Sequence, residues 1–177
     1  LNINELILSS KTMWSRSYVS DGGQTTFGSK TQTQLFPELF FNYRFGKLVL
    51  GFGSATTSAY EVEWDAASAP GRFLSTGSKY EGRELMGAIA YKLSARFSIG
   101  LTLRHAQMDV THQRNLPRPL PGDDSLYYEA GERFDTDGTG TGYTLGFQYY
   151  RDRRFSVGLT YFSPIEIDLS GNRSFSL

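Results

Sequence analysis

The sequence predicts an all-β protein: an antiparallel, up-and-down transmembrane β-barrel to which the chain contributes about seven strands. Three observations predict this class. Apolar and polar residues alternate with a period of two along most of the chain. The connections between the alternating stretches are short and long in turn. Aromatic residues make up 15% of the chain and glycines number 19, yet mean hydropathy is −0.36, which suits a sheet with one apolar and one wet face.

Charge and cysteine content narrow the function classes. Eighteen Lys and Arg balance 18 Asp and Glu, so the net charge gives no reason to expect a nucleic-acid partner. The absence of cysteine excludes disulfides and thiolate metal or redox sites. No apolar run approaches the roughly 20 residues of a membrane-spanning helix. The chain begins Leu1-Asn2 without a basic signal region, so we expect any export signal to lie outside this stretch.

Seven strands follow from the alternation, which is least regular in the first. We place them at residues 3–20, 33–45, 48–61, 80–93, 96–111, 139–150 and 154–170. Their apolar rows are Leu35, Leu39, Phe41, Tyr43 and Phe45; Leu48, Leu50 and Phe52; Leu85, Ile89 and Tyr91; Phe97, Ile99, Leu101 and Leu103; Tyr143, Leu145, Phe147 and Tyr149; and Phe155, Val157, Leu159 and Tyr161. The last row continues past Pro164 at Ile165, Ile167 and Leu169.

The connections predict which end of the barrel faces which compartment. Tight turns are expected at residues 46–47, 94–95 and 151–153, and long outer loops at about 21–32, 62–79 and 112–138. Short periplasmic turns and long outer loops are typical of transmembrane barrels. Aromatic residues on the apolar parity flank the short turns, as an interfacial girdle would: Tyr43, Phe45, Tyr91, Phe97, Tyr149 and Phe155.

Seven strands do not close an antiparallel barrel, because single-chain bacterial barrels have an even number of strands, eight or more. An open edge in hydrocarbon would leave backbone groups unpaired. We therefore expect residues 1–177 to be one partial β-barrel domain of a longer chain.

Two stretches of the sequence resemble the FadL/TodX family of outer-membrane transporters. One is Gly142-Tyr143-Thr144-Leu145-Gly146, and the other includes Gly158, Leu159, Tyr161, Ser163, Asp168 and Gly171 at the spacing of a family pattern. Residues 96–111 and the tract 50–64 also fit the family. The resemblance is close in residues 96–111 and 142–172 and extends to most of the chain in layout.

The resemblance implies the N-terminal half of a barrel of about fourteen strands in the bacterial outer membrane, without the family's plug. It implies uptake of long-chain fatty acids or other hydrophobic small molecules by passive diffusion, with a lateral opening where the third strand is kinked. It implies neither catalysis nor a cofactor or metal. The partners would be the hydrophobic ligand, membrane lipid and lipopolysaccharide, with no nucleic acid, and the protein would be a monomer.

The third strand is 48–61, so the kink candidates are Gly51, Gly53 and Ser54, since glycine is found where ladder pairing breaks. Plain barrel curvature explains these glycines equally well.

Apolar residues in the long loops are the candidate ligand-binding residues. They are Leu116, Leu120, Leu126, Tyr127, Tyr128 and Phe134, with Phe73 and Leu74 in the preceding loop. The alternative is that they pack on one another to order the loop. Arg104 lies on the lumen parity and could meet a ligand carboxylate, or it could pair with a lumen acid such as Glu84 or Glu38.

Other signals and functions carry less weight. The glycine-rich run at residues 138–142 lacks the preceding strand and following helix of a phosphate loop. His105 and His112 would point to opposite faces, and the acidic residues of loop 112–138 suit a solvated loop better than a cation site. A structural or adhesive barrel and a porin for small polar solutes stay open as alternatives, although the lumen parity is mostly Ser, Thr and Gly.

Overall fold

The computed structural model describes residues 5–20, 26–65, 71–152 and 155–176, which form ten strands. The strands are β1 (Glu5–Ser15), β2 (Tyr18–Ser20), β3 (Thr26–Gly28), β4 (Gln32–Phe45), β5 (Leu48–Glu63), β6 (Gly77–Lys92), β7 (Phe97–Leu120), β8 (Asp123–Asp152), β9 (Phe155–Phe162) and β10 (Ser170–Ser176). The described residues contain no helix long and apolar enough to cross a membrane.

One antiparallel sheet contains eight of the strands and confirms the predicted fold class. Its order is β1-β4-β5-β6-β7-β8-β10, and β9 also pairs with β8. Neighbours in the sheet are mostly neighbours in sequence, as an up-and-down topology requires. Strands β9 and β10 pair with successive parts of β8, so together they occupy the seventh position of a half-barrel wall. Strands β2 and β3 form a separate small ladder beside the main sheet.

The two faces of the sheet follow the predicted alternation. Phe52, Gly87, Leu103 and Tyr143 lie in one row across four strands, and the three side chains of this row share the outer face. Leu103 is 63% exposed and Phe52 is 48% exposed, so this face is apolar and open. The opposite face carries Ser, Thr, Gly and several ion pairs. We refer to the first as the lipid face and to the second as the lumen face.

Two of the predicted tight turns, at residues 46–47 and 94–95, lie at one end of the sheet, while residue 153 of the third lies outside the described residues. Phe45 and Leu48 pair across a two-residue turn in which Gly46 has φ of +56°, a conformation that favours glycine. Near the same end, the rings of Phe97 and Tyr149 are 5.0 Å apart on facing positions of β7 and β8. Cross-strand aromatic pairs of this kind stabilise neighbouring strands.

The segment expected as a long loop at residues 112–138 is instead a hairpin. Strands β7 and β8 stay paired out to Leu120 and Asp123, and only Pro121 and Gly122 form the turn, with Gly122 at φ of +91°. Here the register of the two strands is set by charged and hydroxyl side chains that pair across them, and not by the burial of apolar side chains. The prediction of a loop at residues 112–138, which rested on a composition rich in Pro, Gly and Asp, is therefore wrong.

Three other boundaries differ from expectation. The first predicted strand is interrupted at residues 16–17, between β1 and β2. The seventh is interrupted at residues 163–169, between β9 and β10. Strands β5 and β6 extend to Glu63 and Gly77 and shorten the predicted loop 62–79. Parts of two predicted loops, residues 21–25 and 66–70, lie outside the described residues.

Candidate functional site

Strands β4 and β5 separate along their outer halves. They pair from Phe45↔Leu48 only as far as Leu39↔Ser54. Beyond this point β4 continues to pair with β1, and β5 continues to pair with β6. Within the described residues, 32–38 and 55–63 therefore have no ladder between them, and a gap opens in the wall.

Side-chain and backbone hydrogen bonds bridge this gap at its outer end. The Gln34 amide donates to the Glu61 carboxylate at 3.1 Å, and the backbone N–H of Lys30 donates to the Glu63 carbonyl at 2.8 Å. The Lys30 ammonium also contacts the Glu63 carboxylate at 2.5 Å, and this hydrogen bond raises the pKa of Lys30. The gap is thus a window, closed below by the ladder and above by a polar bridge.

The kink candidates lie at the lower edge of the window. Ser54 forms the last β4–β5 pair, and Gly51 lies within the ladder. A Cβ on Gly53 would come within 2.7 Å of the Phe40 ring, so glycine lets that ring lie across β5. The register of β5 against β6 shifts between Thr56 and Ser58, which is a β-bulge at Thr57. A bulge bends its strand and increases the local twist.

Apolar side chains line the lumen face beside the window, and sequence analysis did not identify them. Phe36 pairs with Lys11 and Phe40 pairs with Ile7, which places all four on the lumen parity. The signal in the sequence was that Phe36 and Phe40 are large apolar residues on the otherwise polar parity of their strand. Met86, whose terminal methyl lies 3.5 Å from the Cβ position of Gly53, extends the same surface.

Arg104 lies on the lumen face and is held by a carboxylate. Its Nε and Nη2 donate to the two oxygens of Glu84 at 2.9 and 2.7 Å. The guanidinium lies 5.6 Å from the Phe162 ring centroid. Of the two acids considered as partners, Glu84 makes this pair, while Glu38 pairs with Lys11.

The outer hairpin distributes the candidate ligand-binding residues over different surfaces. Leu116, Tyr128 and Phe134 lie on its inner face, continuous with the lumen parity. Tyr127 is on the opposite face, and Leu120, Leu126 and Tyr127 are exposed near the tip. A small cavity of about 260 Å³ on the inner face is lined by Arg118, Tyr128, Ala130, Phe175 and Ser176.

Arginines and aromatic rings alternate along that inner face around one buried acid. The Glu132 side chain is fully buried and contacts Arg114 at 2.5 Å and also Arg173. Burial acts to raise the pKa of Glu132, but the hydrogen bonds from both arginines outweigh it, so the pKa lies below its ordinary value. Both guanidiniums lie over the ring of Phe134. Phe134, a candidate ligand-binding residue, thus lies between two guanidinium groups.

The turn at residues 71–76 packs against the base of the hairpin. Arg72 donates to Glu129 through two nitrogens at 2.9 and 2.7 Å, and this contact lowers the pKa of Glu129. The Arg72 guanidinium also lies 4.5 Å from the ring of Phe73. Leu74 is 78% exposed and its carbonyl lies 3.2 Å from Nε2 of His112. The Leu74 backbone therefore contacts a residue of the lumen side, His112, while the Phe73 ring lies beside Arg72.

No metal-binding group emerges from the described part of the chain, in which no three His, Asp or Glu side chains converge. His105 faces the lipid side, whereas His112 accepts or donates at 2.8 Å with Ser78 on the lumen side.

Comparison with known proteins identifies the family. The family model described as outer membrane protein transport protein (OMPP1/FadL/TodX) matches residues 3–177. The chain belongs to the OMPP1/FadL/TodX family. It is therefore part of a β-barrel of the bacterial outer membrane, in a family of transport proteins. No curated protein matches the chain.

Solved barrels of the family share this fold at low sequence identity. A FadL homologue from Pseudomonas aeruginosa is 18% identical, with a TM-score of 0.64 over 96% of this chain and 45% of its own. A TodX deltaS2S3 mutant monoaromatic hydrocarbon channel is 13% identical, with a TM-score of 0.73 over 97% and 52%. The P. putida toluene transporter TodX is 14% identical, with a TM-score of 0.71 over 97% and 49%. The chain spans about half the length of these barrels.

The outer-membrane setting fixes the depth of the window. A strand that rises about 3.4 Å per residue at a tilt of about 40° gains about 2.6 Å of height per residue. Ser54 is then about 16 Å above the girdle at Leu48, in an apolar band about 25 Å tall. The window of this OMPP1/FadL/TodX chain thus begins within the outer half of the membrane and ends above it.

Proposed function

We propose that the protein carries hydrophobic small molecules, such as long-chain fatty acids or monoaromatic hydrocarbons, across the outer membrane by passive diffusion. The observation that carries the proposal is the window between β4 and β5, bordered on the lumen side by Phe36 and Phe40. Burying hydrocarbon against such side chains contributes about 0.8 kcal/mol per CH₂ group. The family and its solved relatives, a toluene transporter among them, support this ligand class.

The window serves in this proposal as the lateral opening through which the ligand passes between lumen and bilayer. Unpaired backbone at membrane depth is tolerated where it lines a cavity, which fits a passage better than a sealed wall. Gly51, Gly53 and Ser54 permit the lower edge of the window, and the bulge at Thr57 turns the upper half of β5 away from β4.

Capture occurs on the inner face of the outer hairpin, where Leu116, Tyr128 and Phe134 face the lumen. Leu120, Leu126 and Tyr127 near the tip, with Phe73 and Leu74 beside its base, make the first apolar contacts. Arg104 attracts a ligand carboxylate through the part of its charge that Glu84 leaves uncompensated. The lipid face contacts membrane lipid and lipopolysaccharide, and the protein acts as a monomer.

The test is uptake of tritiated palmitate by cells that express the full-length protein with Thr57 deleted. Deletion removes the bulge, and we expect uptake to fall well below that of cells with the unmodified protein. Thr57→Ala is the matched control, because it keeps the extra residue and loses only the hydroxyl contact with Gly82. Folding is checked by resistance of the barrel to denaturation in detergent. Full uptake by the correctly folded deletion variant would refute the role of the window.

A further inference from the structure

The seventh strand leaves the sheet between β9 and β10 in residues 163–169, which we call the inner strap. Phe162 pairs with Thr144 of β8, and pairing resumes at Ser170 with Asp137. The seven residues of the strap (163–169) therefore stand opposite six residues of β8 (138–143). An excess of one residue is what a single bulge requires, so chain length alone does not force the strap out of the wall.

Three glycines of β8 explain where the strap goes. Gly138, Gly140 and Gly142 alternate on the lumen parity of the strand. A Cβ on Gly138 would come within 2.5 Å of the Asp168 carbonyl oxygen, and one on Gly140 would overlap the Glu166 carbonyl oxygen. A Cβ on Gly142 would come within 2.6 Å of the Ile165 side chain. The strap thus lies directly on the lumen face of β8, on a strip without side chains.

The side chains of the strap fit this position. Ile165 and Ile167 are half-buried and face the glycine strip, while Glu166 and Asp168 are exposed toward the lumen. Ser163 fastens the start of the strap, because its hydroxyl accepts from the backbone N–H of Tyr143 at 2.8 Å and its own N–H donates to the Tyr143 carbonyl at 2.9 Å. Carboxylates at membrane depth are tolerated beside a water-filled cavity.

The position of the strap leaves an edge of β8 open. On the side of β8 that pairs with β9 and β10, no strand of the described chain pairs with residues 138–142. At about 2.6 Å of height per residue, Gly142 is about 18 Å and Gly138 about 29 Å above the girdle at Tyr149. The open edge therefore lies in the outer half of the apolar band and at its outer interface.

An apolar groove on the lipid face ends at this open edge. The groove has a volume of about 710 Å³, and Phe52, Leu103, Tyr143, Tyr161 and Pro164 contribute to its lining. Tyr161 lies two residues before the strap and Pro164 is its second residue, so the groove connects the lipid face with the place where the strap leaves the wall.

The geometry points to a second lateral passage between lumen and outer leaflet, distinct from the β4–β5 window and located where the inner strap leaves the edge of β8 open. The passage takes the same class of apolar ligand and rests on the proposed transport function. The glycine strip keeps it open by holding the strap inside the lumen.

A graded glycine series in the full-length protein tests this. Gly140→Ala meets a backbone carbonyl and forces the strap off β8, whereas Gly142→Ala meets only side-chain atoms of Ile165 and Ser163. Gly146→Ala is the matched control on the same strand and face, because its Cβ would come no closer than 3.9 Å to any atom. The probe is tritiated palmitate. A benzophenone amino acid that replaces Tyr161 crosslinks palmitate on illumination, and the same amino acid in place of Leu159, on the same face of β9, is the reference.

We expect capture at Tyr161 to exceed capture at Leu159, to fall to the Leu159 level in Gly140→Ala, to fall partly in Gly142→Ala and to persist in Gly146→Ala. Deletion of Thr57 should leave capture at Tyr161 in place. Equal capture at both positions, or undiminished capture in a folded Gly140→Ala variant, would overturn the second passage while uptake itself continued. Absence of palmitate uptake by the unmodified protein would instead refute the proposed function. Resistance to denaturation in detergent verifies that each variant is folded.

Discussion

Removing the Glu84 charge is expected to lower the stability of the barrel wall and to change the affinity of Arg104 for a charged ligand. Glu84→Gln keeps the shape of the side chain and one acceptor oxygen, but it leaves the guanidinium without its counter-charge. The Glu84 side chain is 10% exposed and that of Arg104 is 19% exposed, so neither group is freely solvated.

The magnitude follows from that partial burial. Truncating one partner of a fully buried pair costs about 3–5 kcal/mol, and exposed pairs contribute about 0–1 kcal/mol. The two hydrogen bonds at 2.9 and 2.7 Å have the fork geometry of a strong pair, but neither side chain is fully buried. We therefore expect a coupling free energy of about 2 kcal/mol between the two side chains.

The assay is a double-mutant cycle on the full-length protein. Urea unfolding is measured for the unmodified protein, Glu84→Gln, Arg104→Met and the double variant, and the coupling free energy is the non-additive part. A coupling below about 0.5 kcal/mol would refute the reasoning, because it would mean that luminal water screens the pair completely.

The same substitution separates charged from neutral ligands. In Glu84→Gln the guanidinium charge is uncompensated, so palmitate should bind more tightly than to the unmodified protein, whereas hexadecanol, which lacks the carboxylate, should bind equally to both. Equal binding of palmitate to the two proteins would show that Arg104 does not contact the ligand.

Three further predictions concern the hairpin and the girdle. The contacts with Arg114 and Arg173 hold the pKa of Glu132 below its ordinary value, so the stabilisation they give is present above the unfolded-state pKa and is lost as pH falls below about 4. Hydrogen exchange of the hairpin amides, corrected for intrinsic rates, should therefore rise below about pH 4. An exchange rate that does not change with pH would contradict this. Tyr149→Leu keeps an apolar side chain but removes the ring facing Phe97, and it should lower the free energy of unfolding by about 1 kcal/mol relative to the unmodified protein. A Tyr149→Leu variant as stable as the unmodified protein would exclude a specific ring contact. Tyr128→Ser, on the inner face, should weaken palmitate binding more than Tyr127→Ser on the opposite face, and the reverse order would place capture elsewhere.

The strand pattern was predictable because the lipid face imposes it locally. Phe97, Ile99 and Leu101 must all face hydrocarbon, so the alternation can be recognised in the sequence of each strand by itself, whatever strands lie beside it. Beyond the membrane this constraint ends. The outer hairpin is specified by pairs such as Arg114 with Glu132, residues far apart in sequence, and the local composition resembles a loop.

Both breaks in the wall were harder to predict, for different reasons. The sequence placed kink candidates at Gly53 and Ser54, beside the point where β4 and β5 separate, but the end of a ladder depends on the partner strand as well. Pro164, which has no N–H to donate to a ladder, was the weak local sign of the inner strap. Ile165 and Ile167 keep the alternation of a wall strand, because a residue that faces outward onto glycine must be as apolar as one that faces lipid.

The long hairpin has a consequence for the cell surface. From Gln107, near the outer membrane interface, 13 residues lead to Leu120, so the turn stands about 34 Å above the bilayer. An antibody or a phage that approaches the cell would meet Pro121 and Gly122 before most of the barrel. A peptide inserted between these two residues would interrupt no strand pairing, and exposed loop tips are where proteins accept insertions best. The tip of the hairpin is accordingly a suitable insertion site for displaying foreign epitopes on the cell surface.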